Sequence, residues 1–404
     1  MALDKSFYTN KRTELVSRLP QGTAVILFSG SSAAMSQDGE YRFLPDRNFY
    51  YMTGLEFENG RVIITSSGTK LFAPMPNEMI ERWHGKRLTK SQMSEISGIP
   101  EECIYPEEDF DEALYEVEKN GLKLASDGTS IMAVTKAFLT SDRTVEDIGS
   151  TLTSMRMIKS PEEVESIRQA AQITEAALLE MKEHIRPGVT EVELYTSLEY
   201  GMAKRGSLLP AFTTITAIGT NAFYLHHGDP EGADGVVAKE IDQIQIDVGA
   251  RVNGYCADIS RAYFVGNSTG DDDRRFKLLS LIQTLRQKAW KFIRPGETFK
   301  TLNAAMHEIV GQWLLDNNLA TNDTLADDIK KYYWHNTSHH LGLDVHDISD
   351  RDKPFMPGNC LAVEPGVYIP EWGVGFRIED DVYVTVDGCE LISSGDDGIE
   401  GIVI

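Results

Sequence analysis

Apolar runs bounded by turn-forming residues dominate the N-terminal part of the chain. The run Thr23–Phe28 predicts a buried strand, and the runs 61–65 and 70–73 flank the polar segment 66–69, which predicts a hairpin. Residues 110–120 have helical spacing that ends at Gly121, and residues 122–125 predict a further strand. We therefore predict an α/β domain over residues 1–153.

Long amphipathic helices characterise the next part of the chain. Ser160, Pro161 and Glu163 form the signature of a helix start, with a capping serine, a first-turn proline and a glutamate that bonds back to the cap. Apolar residues then recur at helical spacing from 164 to 185, and Arg-Pro-Gly at 186–188 ends the pattern. Thr190 and the residues after it predict a second helix.

The same order of elements occurs again downstream. A helix is predicted over 271–292, and Thr298 begins another one. The tetrapeptide Ile-Arg-Pro-Gly lies between the helices in both places, at 185–188 and at 293–296. This repetition predicts a second α/β (α+β) domain over 154–404, built from two related halves with a site in the cleft between them.

Composition narrows the class of protein. A length of 404 residues favours two domains, and a net charge of −23 argues against nucleic acid and anionic membranes as partners. No apolar run approaches the ~18 residues that a membrane span needs, and the N-terminus lacks the pattern of a signal peptide. The scattered cysteines predict reduced thiols in a cytoplasmic protein: Cys103, Cys256, Cys360 and Cys389.

Histidines are concentrated in one short segment. Four of the nine histidines lie between residues 334 and 347: His335, His339, His340 and His346. Each neutral ring needs partners for a donor and an acceptor, so this density indicates a site more than packing. A polar loop with unrelated histidines is the alternative.

Two aspartates are predicted to share one face of a hairpin. Apolar and polar residues alternate over 243–248, and Asp247 is one of the polar ones. Asn253-Gly254 predicts a two-residue turn, which places Gly249 opposite Asp258. Asp247 and Asp258 then become diagonal neighbours, roughly 7–8 Å apart at the backbone.

Two glutamates follow in strand-like runs. Glu364 ends the apolar run 361–363, and Arg377 and Glu379 share one face of an alternating run. Each acid alone would fit a surface ion pair, but acids within apolar runs predict a cation, because burial of unpaired charge is costly. The charge of the four carboxylates balances two divalent ions. Oxygen ligands with the imidazole of His339 favour Mn²⁺, Co²⁺ or Zn²⁺ over copper.

At these residues the sequence resembles the metallopeptidase family of Xaa-Pro aminopeptidases, prolidases and methionine aminopeptidases, which has the pita-bread fold. The matching motifs are Asp247-Val-Gly, Gly254-Tyr-Cys-Ala-Asp258-Ile-Ser-Arg261, His335-x-x-Ser-His339-x-Leu-Gly-Leu-Asp-Val-His346-Asp347, Val363-Glu364-Pro365-Gly366 and Arg377-Ile-Glu379-Asp380. Residues 41–54 resemble the N-terminal domain of Xaa-Pro aminopeptidases, which methionine aminopeptidases lack. The resemblance covers the whole chain.

The resemblance implies a role for each site residue. The ligands of two metal ions, most favourably Mn²⁺, would be Asp247, Asp258, His339, Glu364 and Glu379, with Asp258 and Glu379 bridging. Glu364 would also act as general base toward a metal-bridging hydroxide. His226 and His346 would contact the scissile carbonyl, His335 would line the proline side, and Arg377 would hold the carboxylates. The implied enzyme is a homodimer or homotetramer that hydrolyses the Xaa-Pro bond at the N-terminus of peptides.

The sequence departs from the family pattern in three places. Asn336 stands where the family usually has glycine, and His340 is an additional histidine beside His339. The stretch 228–237 is longer than usual and acidic, which leaves the choice of His226 over His227 open.

Three other functions remain as alternatives. An Xaa-Pro dipeptidase would use the same chemistry on dipeptides only. A metal-free relative, either an amidinohydrolase or a binding domain, would lose the ligands that this chain keeps. A serine hydrolase would use Ser268 in the short pattern Gly266-x-Ser268-x-Gly270, which a loop before a helix explains equally well.

Overall fold

The computed structural model describes residues 3–230, 238, 242–265 and 274–394. The chain divides into two compact mixed α/β units, Met1–Met155 and Arg156–Ile404. In the described ranges, no helix combines the length and apolar character needed to cross a membrane. All four cysteines are free thiols.

The first unit is built on one mixed sheet. Its described strands are β1 (Thr23–Phe28), β2 (Arg61–Thr65), β3 (Gly68–Ala73), β4 (Ile104–Pro106), β5 (Lys123–Ser126) and β6 (Val145–Asp147), in the order β4-β3-β2-β1-β5-β6. β1 is central and fully buried, which explains its continuous apolar sequence. The predicted hairpin is confirmed, with the turn shortened because β3 begins at Gly68.

Helices complete the first unit. They are α1 (Lys5–Arg18), α2 (Arg47–Thr53), α3 (Glu78–His84), α4 (Lys90–Ser97), α5 (Phe110–Lys119), α6 (Ala133–Leu139) and α7 (Gly149–Met157), the last of which runs across the division of the chain. The predicted end of α5 is confirmed, since Gly121 adopts a φ of +73° that other residues rarely take.

Two capped helices open the second unit, as the sequence predicts. They are α8 (Pro161–Lys182) and α9 (Glu191–Ala203). Glu163 accepts a 2.8 Å hydrogen bond from the backbone N–H of Ser160, and Glu193 accepts one of 2.9 Å from Thr190. α8 ends earlier than predicted, because residues 183–185 continue as tighter turns with bonds to the third residue back.

The duplicated order of elements is present in the structure. The second set of helices is α10 (Arg274–Phe292), α11 (Phe299–Asp316) and α12 (Leu325–Tyr332); the predicted start of α10 at 271 lies outside the described residues. Gly188 and Gly296 have φ values of +91° and +93°. Their N–H groups donate to the carbonyls of Ala238 (2.8 Å) and Phe355 (3.1 Å), and each partner donates back to the residue after the glycine. Equivalent turns thus join equivalent helices in the two halves.

The strands of the second unit form separate small sheets. The first half contributes β7 (Ile215–Ile218), β8 (Gln243–Val248), β9 (Arg251–Val252), β10 (Tyr255–Cys256) and β11 (Ile259–Phe264), with the sheet order β11-β8-β7. The second half contributes β12 (Ser338–His340), β13 (Cys360–Val363), β14 (Gly366–Ile369), β15 (Val374–Arg377), β16 (Asp380–Val384) and β17 (Cys389–Leu391).

Glutamine side chains join the two halves. Gln245, on β8, accepts from the backbone N–H of Arg377 at 2.9 Å and donates to its carbonyl at 3.1 Å. Gln243 accepts from the backbone of Gly375 at 3.0 Å. These buried side-chain amides supply the backbone of β15 with the hydrogen bonds that a neighbouring strand would otherwise make. They thereby hold β15 against the polar face of β8 that carries Asp247.

Candidate metal centre

The hairpin that carries the two aspartates has the predicted register. Asn253 and Gly254 have φ values of +49° and +80°, as a two-residue turn of this type requires. Val252 pairs with Tyr255, and the same register continues to the pair of Asp247 with Ser260. Asp258 precedes β11 and is therefore a diagonal neighbour of Asp247.

The two glutamates lie just beyond strands, and the expectation that they stand on strand faces is wrong in this detail. Glu364 follows β13, and its N–H donates to Thr337 at 2.8 Å. Glu379 lies between β15 and β16, and its N–H donates to Ser260 on β11 at 3.1 Å. The bond of Glu364 continues the register in which Ser338 of β12 pairs with Val363, whereas Glu379 leaves the pairing of β14 with β15 and bonds to β11.

One cavity of about 660 Å³ gathers all of the predicted site residues. Its lining includes His226, Asp247, Asp258, His335, His339, His346, Glu364, Arg377 and Glu379. Asp258, His339 and Glu379 form the tightest group, because one ligand atom from each lies within 4.8 Å of the others. Asp247 and Glu364 line the same cavity beside this group.

The carboxylates that line this cavity concentrate negative charge. Burial and the neighbouring Glu379 raise the pKa of Asp258 well above its usual value. Burial and Glu379 also raise the pKa of Glu364 to about 8. Burial alone would lower the pKa of His339, but its contacts with Asp258 and Glu379 raise it overall. Carboxylates packed this closely repel one another, and this pattern of pKa shifts is expected where a cation site gathers several acids.

The hydrogen bonding of the acids fits divalent cations. Asp247 accepts at Oδ2 from Arg377 (2.6 Å), and Glu379 accepts at Oε2 from Ser260 (3.0 Å). The other oxygens, Asp247 Oδ1 and Glu379 Oε1, are buried and have no hydrogen-bond partner among the residues described. An anionic oxygen left this way is costly without a cation, so the donor set suits hard or borderline divalent metals.

Three histidine rings surround the acids in distinct ways. The rings of His339 and His346 stack with centroids 3.9 Å apart, and burial followed by the charge of His339 lowers the pKa of His346 to about 4. The Nδ1 atom of His335 lies 2.9 Å from the carbonyl of Asn336, and its Nε2 atom lies 3.3 Å from the hydroxyl of Tyr368. Burial, reinforced by Arg377, lowers the pKa of His335 to about 4.

The structure separates the adjacent histidines 226 and 227. His226 lines the cavity, whereas Nε2 of His227 lies 2.9 Å from Oε2 of Glu191. Glu191 is fully buried and also accepts from the backbone of Ile218 at 2.8 Å and the side chain of Asn221 at 2.9 Å. Sequence reasoning missed Glu191, whose only local signal is an acid at the start of a helix.

Other features singled out from the sequence lie away from the acids or outside the described residues. His340 is buried, and its ring meets that of Phe299 at 5.4 Å. Asp347 is buried against Arg156 and Lys159, an arrangement that no sequence spacing indicated. Most of the long acidic stretch, residues 231–237, and the serine-hydrolase candidate Ser268 lie outside the described residues.

Comparison with known proteins identifies two family regions. The profile of the metallopeptidase family M24 matches residues 165–386, and that of the aminopeptidase P N-terminal domain matches residues 8–124. The chain is 28% identical to the Xaa-Pro aminopeptidase of Escherichia coli, over 97% of this chain and 95% of that protein. It is 28% identical to the Xaa-Pro dipeptidase of Pyrococcus furiosus, over 86% of this chain and 90% of that protein.

A solved structure shares the whole architecture. Aminopeptidase P from Escherichia coli with the inhibitor Pro-Leu superposes with a TM-score of 0.89 at 25% identity, covering 98% of this chain and 96% of that one. The predicted combination of an N-terminal aminopeptidase P-like domain with a C-terminal pita-bread domain is therefore confirmed.

Proposed function

This chain belongs to the metallopeptidase family M24, and we propose that it is an Xaa-Pro aminopeptidase that removes the residue before a proline in the second position of a peptide. The observation that carries the proposal is the cavity in which Asp247 and Glu379 each present one buried oxygen without a hydrogen-bond partner in the described structure. The matched relatives that act on Xaa-Pro bonds support the choice of substrate.

We assign the metal-binding role to Asp247, Asp258, His339, Glu364 and Glu379. Their charge balances two divalent ions, and their oxygen-rich donor set favours Mn²⁺, with Co²⁺ or Zn²⁺ as alternatives. Bound ions would supply a Lewis acid for the scissile carbonyl and lower the pKa of the attacking water.

The protein's own groups manage the protons and the substrate. Glu364 is 15% exposed at the cavity wall, where its carboxylate reaches both the ligand His339, at 3.9 Å, and the cavity space. This position suits a general base that takes a proton from the attacking water and passes it to the leaving proline nitrogen. His226 and His346, which line the same cavity, are assigned to the scissile carbonyl.

The proline side is assigned to the wall around His335. The rings of Tyr333, Trp334 and Tyr368 lie within 6.0 Å, 5.6 Å and 5.7 Å of the His335 ring. Both nitrogens of His335 have partners within the protein, so the ring offers an aromatic surface rather than a donor. An Xaa-Pro bond has no N–H to satisfy, and the face of the His335 ring, which lines the cavity and is held by these neighbouring rings, suits the proline ring.

We further propose a cytoplasmic homodimer or homotetramer whose domains divide at residues 153/154. The four free thiols support a reducing compartment. The net charge of −23 argues against nucleic-acid partners. Light scattering on the purified chain measures the oligomer directly.

Cleavage of two substrates tests the function. The enzyme is stripped with a chelator, supplied with Mn²⁺, Co²⁺ or Zn²⁺, and given an Xaa-Pro dipeptide and an Xaa-Pro-Yaa tripeptide. Metal-restored release of the first residue from the tripeptide supports the proposal, whereas cleavage of the dipeptide alone identifies a dipeptidase. Failure with both substrates and all metals favours a metal-free relative.

Glu364→Gln tests the assigned base. The variant should keep its fold, measured by circular dichroism, and lose turnover, because the amide cannot accept the proton. Glu390→Gln, at an exposed position on β17, is the matched control and should retain full activity.

A further inference from the structure

Two asparagines beside the metal centre hold one another in a fixed orientation. Asn336 lines the cavity next to His335, and Asn303 lies on α11. Asn303 accepts at Oδ1 from the backbone N–H of Thr337 at 2.9 Å. Its Nδ2 atom donates to Oδ1 of Asn336, also at 2.9 Å.

The backbone determines which way both amides point. The N–H of Thr337 can only donate, so the atom of Asn303 that faces it must be the oxygen. The remaining atom of Asn303 is then a nitrogen, which can only donate, and Asn336 must meet it with its oxygen. The Nδ2 atom of Asn336 is consequently not the atom that meets Asn303; it makes no hydrogen bond within the described structure, and Asn336 is an exposed residue of the cavity lining.

The chemistry of the substrate limits what this donor can bind. In the proposed function, on which this inference rests, a peptide enters with a free amino group and a proline in second place. An amide N–H cannot bind the ammonium group, because both are donors. The scissile carbonyl is assigned to the metal centre with His226 and His346. The acceptor that remains nearest to the cleaved bond is the carbonyl oxygen of the proline.

We propose that Asn336 determines substrate specificity by donating from Nδ2 to the carbonyl oxygen of the substrate proline, and that Asn303 is the residue that positions it. The donor is uncharged, so it binds the amide carbonyl of a longer peptide without requiring a terminal carboxylate. The backbone of Asn336 lies outside the left-handed region, so alanine replaces it without strain.

A pair of substrates isolates the proposed hydrogen bond. An Xaa-Pro amide carries the proline carbonyl, and the corresponding Xaa-pyrrolidide lacks it. In Asn336→Ala, the ratio of the KM for the Xaa-Pro amide to that for the pyrrolidide should rise about tenfold, the effect expected for the loss of one hydrogen bond to an uncharged donor. The kcat for the amide should change much less, because the contact is made equally in the ground and transition states.

Asn303→Asp tests the orientation without touching Asn336. The carboxylate still accepts from Thr337 but cannot donate, so Asn336 must turn its amide over and present its oxygen to the cavity. The same KM ratio should rise at least as much as in Asn336→Ala, and in the double variant Asn303→Asp should add little. Asn317→Asp, at the other end of α11, is the matched control and should leave the ratio unchanged.

The outcomes separate this assignment from the function on which it rests. If the wild type cleaves both substrates and either test variant changes both KM values equally, the contact of Asn336 with the proline carbonyl is refuted and the aminopeptidase stands. If the wild type cleaves no Xaa-Pro substrate with any metal, the proposed function fails and this assignment fails with it.

Discussion

Arg377 donates from Nη2 to Oδ2 of Asp247 at 2.6 Å, and both side chains are buried. The same guanidinium donates from Nε to Ser260 at 3.0 Å, and Ser260 donates to Glu379. One arginine thus fixes acids that come from both halves of the domain. The geometry leaves one oxygen of each acid directed away from these donors, where a cation can bind.

Arg377→Lys should weaken metal binding while preserving charge. An ammonium group cannot reproduce the planar fork that reaches Asp247, Ser260 and Tyr368 together. Loss of such a supporting contact typically lowers metal affinity by about 10–100-fold. Calorimetric titration of the stripped protein with Mn²⁺ measures the affinity. Arg294→Lys, in an exposed ion pair with Glu297, is the control, and equal affinities in both variants would contradict the assignment.

Glu191→Ala should reduce turnover through His226, the chain neighbour of its partner His227. Glu191 holds the segment from Ile218 to His227 by three hydrogen bonds, and without it the loop loses its buried anchor. We expect kcat to fall by about tenfold or more, since displacement of a group near the scissile carbonyl weakens transition-state contacts.

Glu191→Gln is the matched variant, because its oxygen still accepts from the backbone and its amide can donate to His227 in the tautomer whose Nε2 is unprotonated. It should restore most of the activity. In a His226→Ala background, Glu191→Ala should have little further effect on kcat. A full additional loss there would mean that Glu191 acts on the fold and not through His226.

Local patterns in the sequence predicted much of this architecture. The glutamates that bond back to Ser160 and Thr190 and the turn at Asn253-Gly254 depend only on nearby residues, and the structure places each as expected. The register of the hairpin follows from the turn, so the relation of Asp247 to Asp258 follows from the amino-acid sequence alone.

Contacts between distant segments could not be derived in that way. Glu379 leaves the pairing of β14 with β15 because a backbone carbonyl 119 residues away accepts its N–H group, whereas Glu364 extends the pairing of β12 with β13. No spacing in the sequence predicts Glu191 under His227 or Gln245 against β15. Periodicity locates a strand and its faces, but the place where a ladder ends depends on its tertiary partners.

Gly188→Ala and Gly296→Ala should each destabilise the second unit by about 1–2 kcal/mol. Both positions have φ above +90°, and a Cβ there would meet no atom within 4 Å, so the cost comes from the backbone alone. Gly388→Ala is the control. A Cβ at this position would also meet no atom within 4 Å, but Gly388 does not have a positive φ. Chemical denaturation measures all three. If Gly296→Ala leaves the free energy of unfolding unchanged, the turn changes its backbone conformation to accommodate alanine.

Asp347→Asn should destabilise the protein most strongly at neutral pH. Asp347 is buried with Arg156 and with Lys159, whose Nζ lies 3.0 Å from its carboxylate. Removal of the anion leaves two buried cations with less negative charge to neutralise them, which typically lowers the free energy of unfolding by about 3–5 kcal/mol. Asp350→Asn, in an exposed pair with Lys353, is the control and should have little effect.

The pH dependence of that loss follows from the pKa of Asp347. Burial alone would raise it, but the charges of Arg156 and Lys159 hold it below the ordinary value of 3.8. A carboxyl with a lowered folded-state pKa stabilises the fold fully above the unfolded-state pKa and loses that contribution as pH falls through the folded-state pKa. Urea unfolding should therefore show a large gap between wild type and Asp347→Asn at about pH 7 that narrows below about pH 4. A gap that stays constant into acid would show that packing, and not charge, makes Asp347 important.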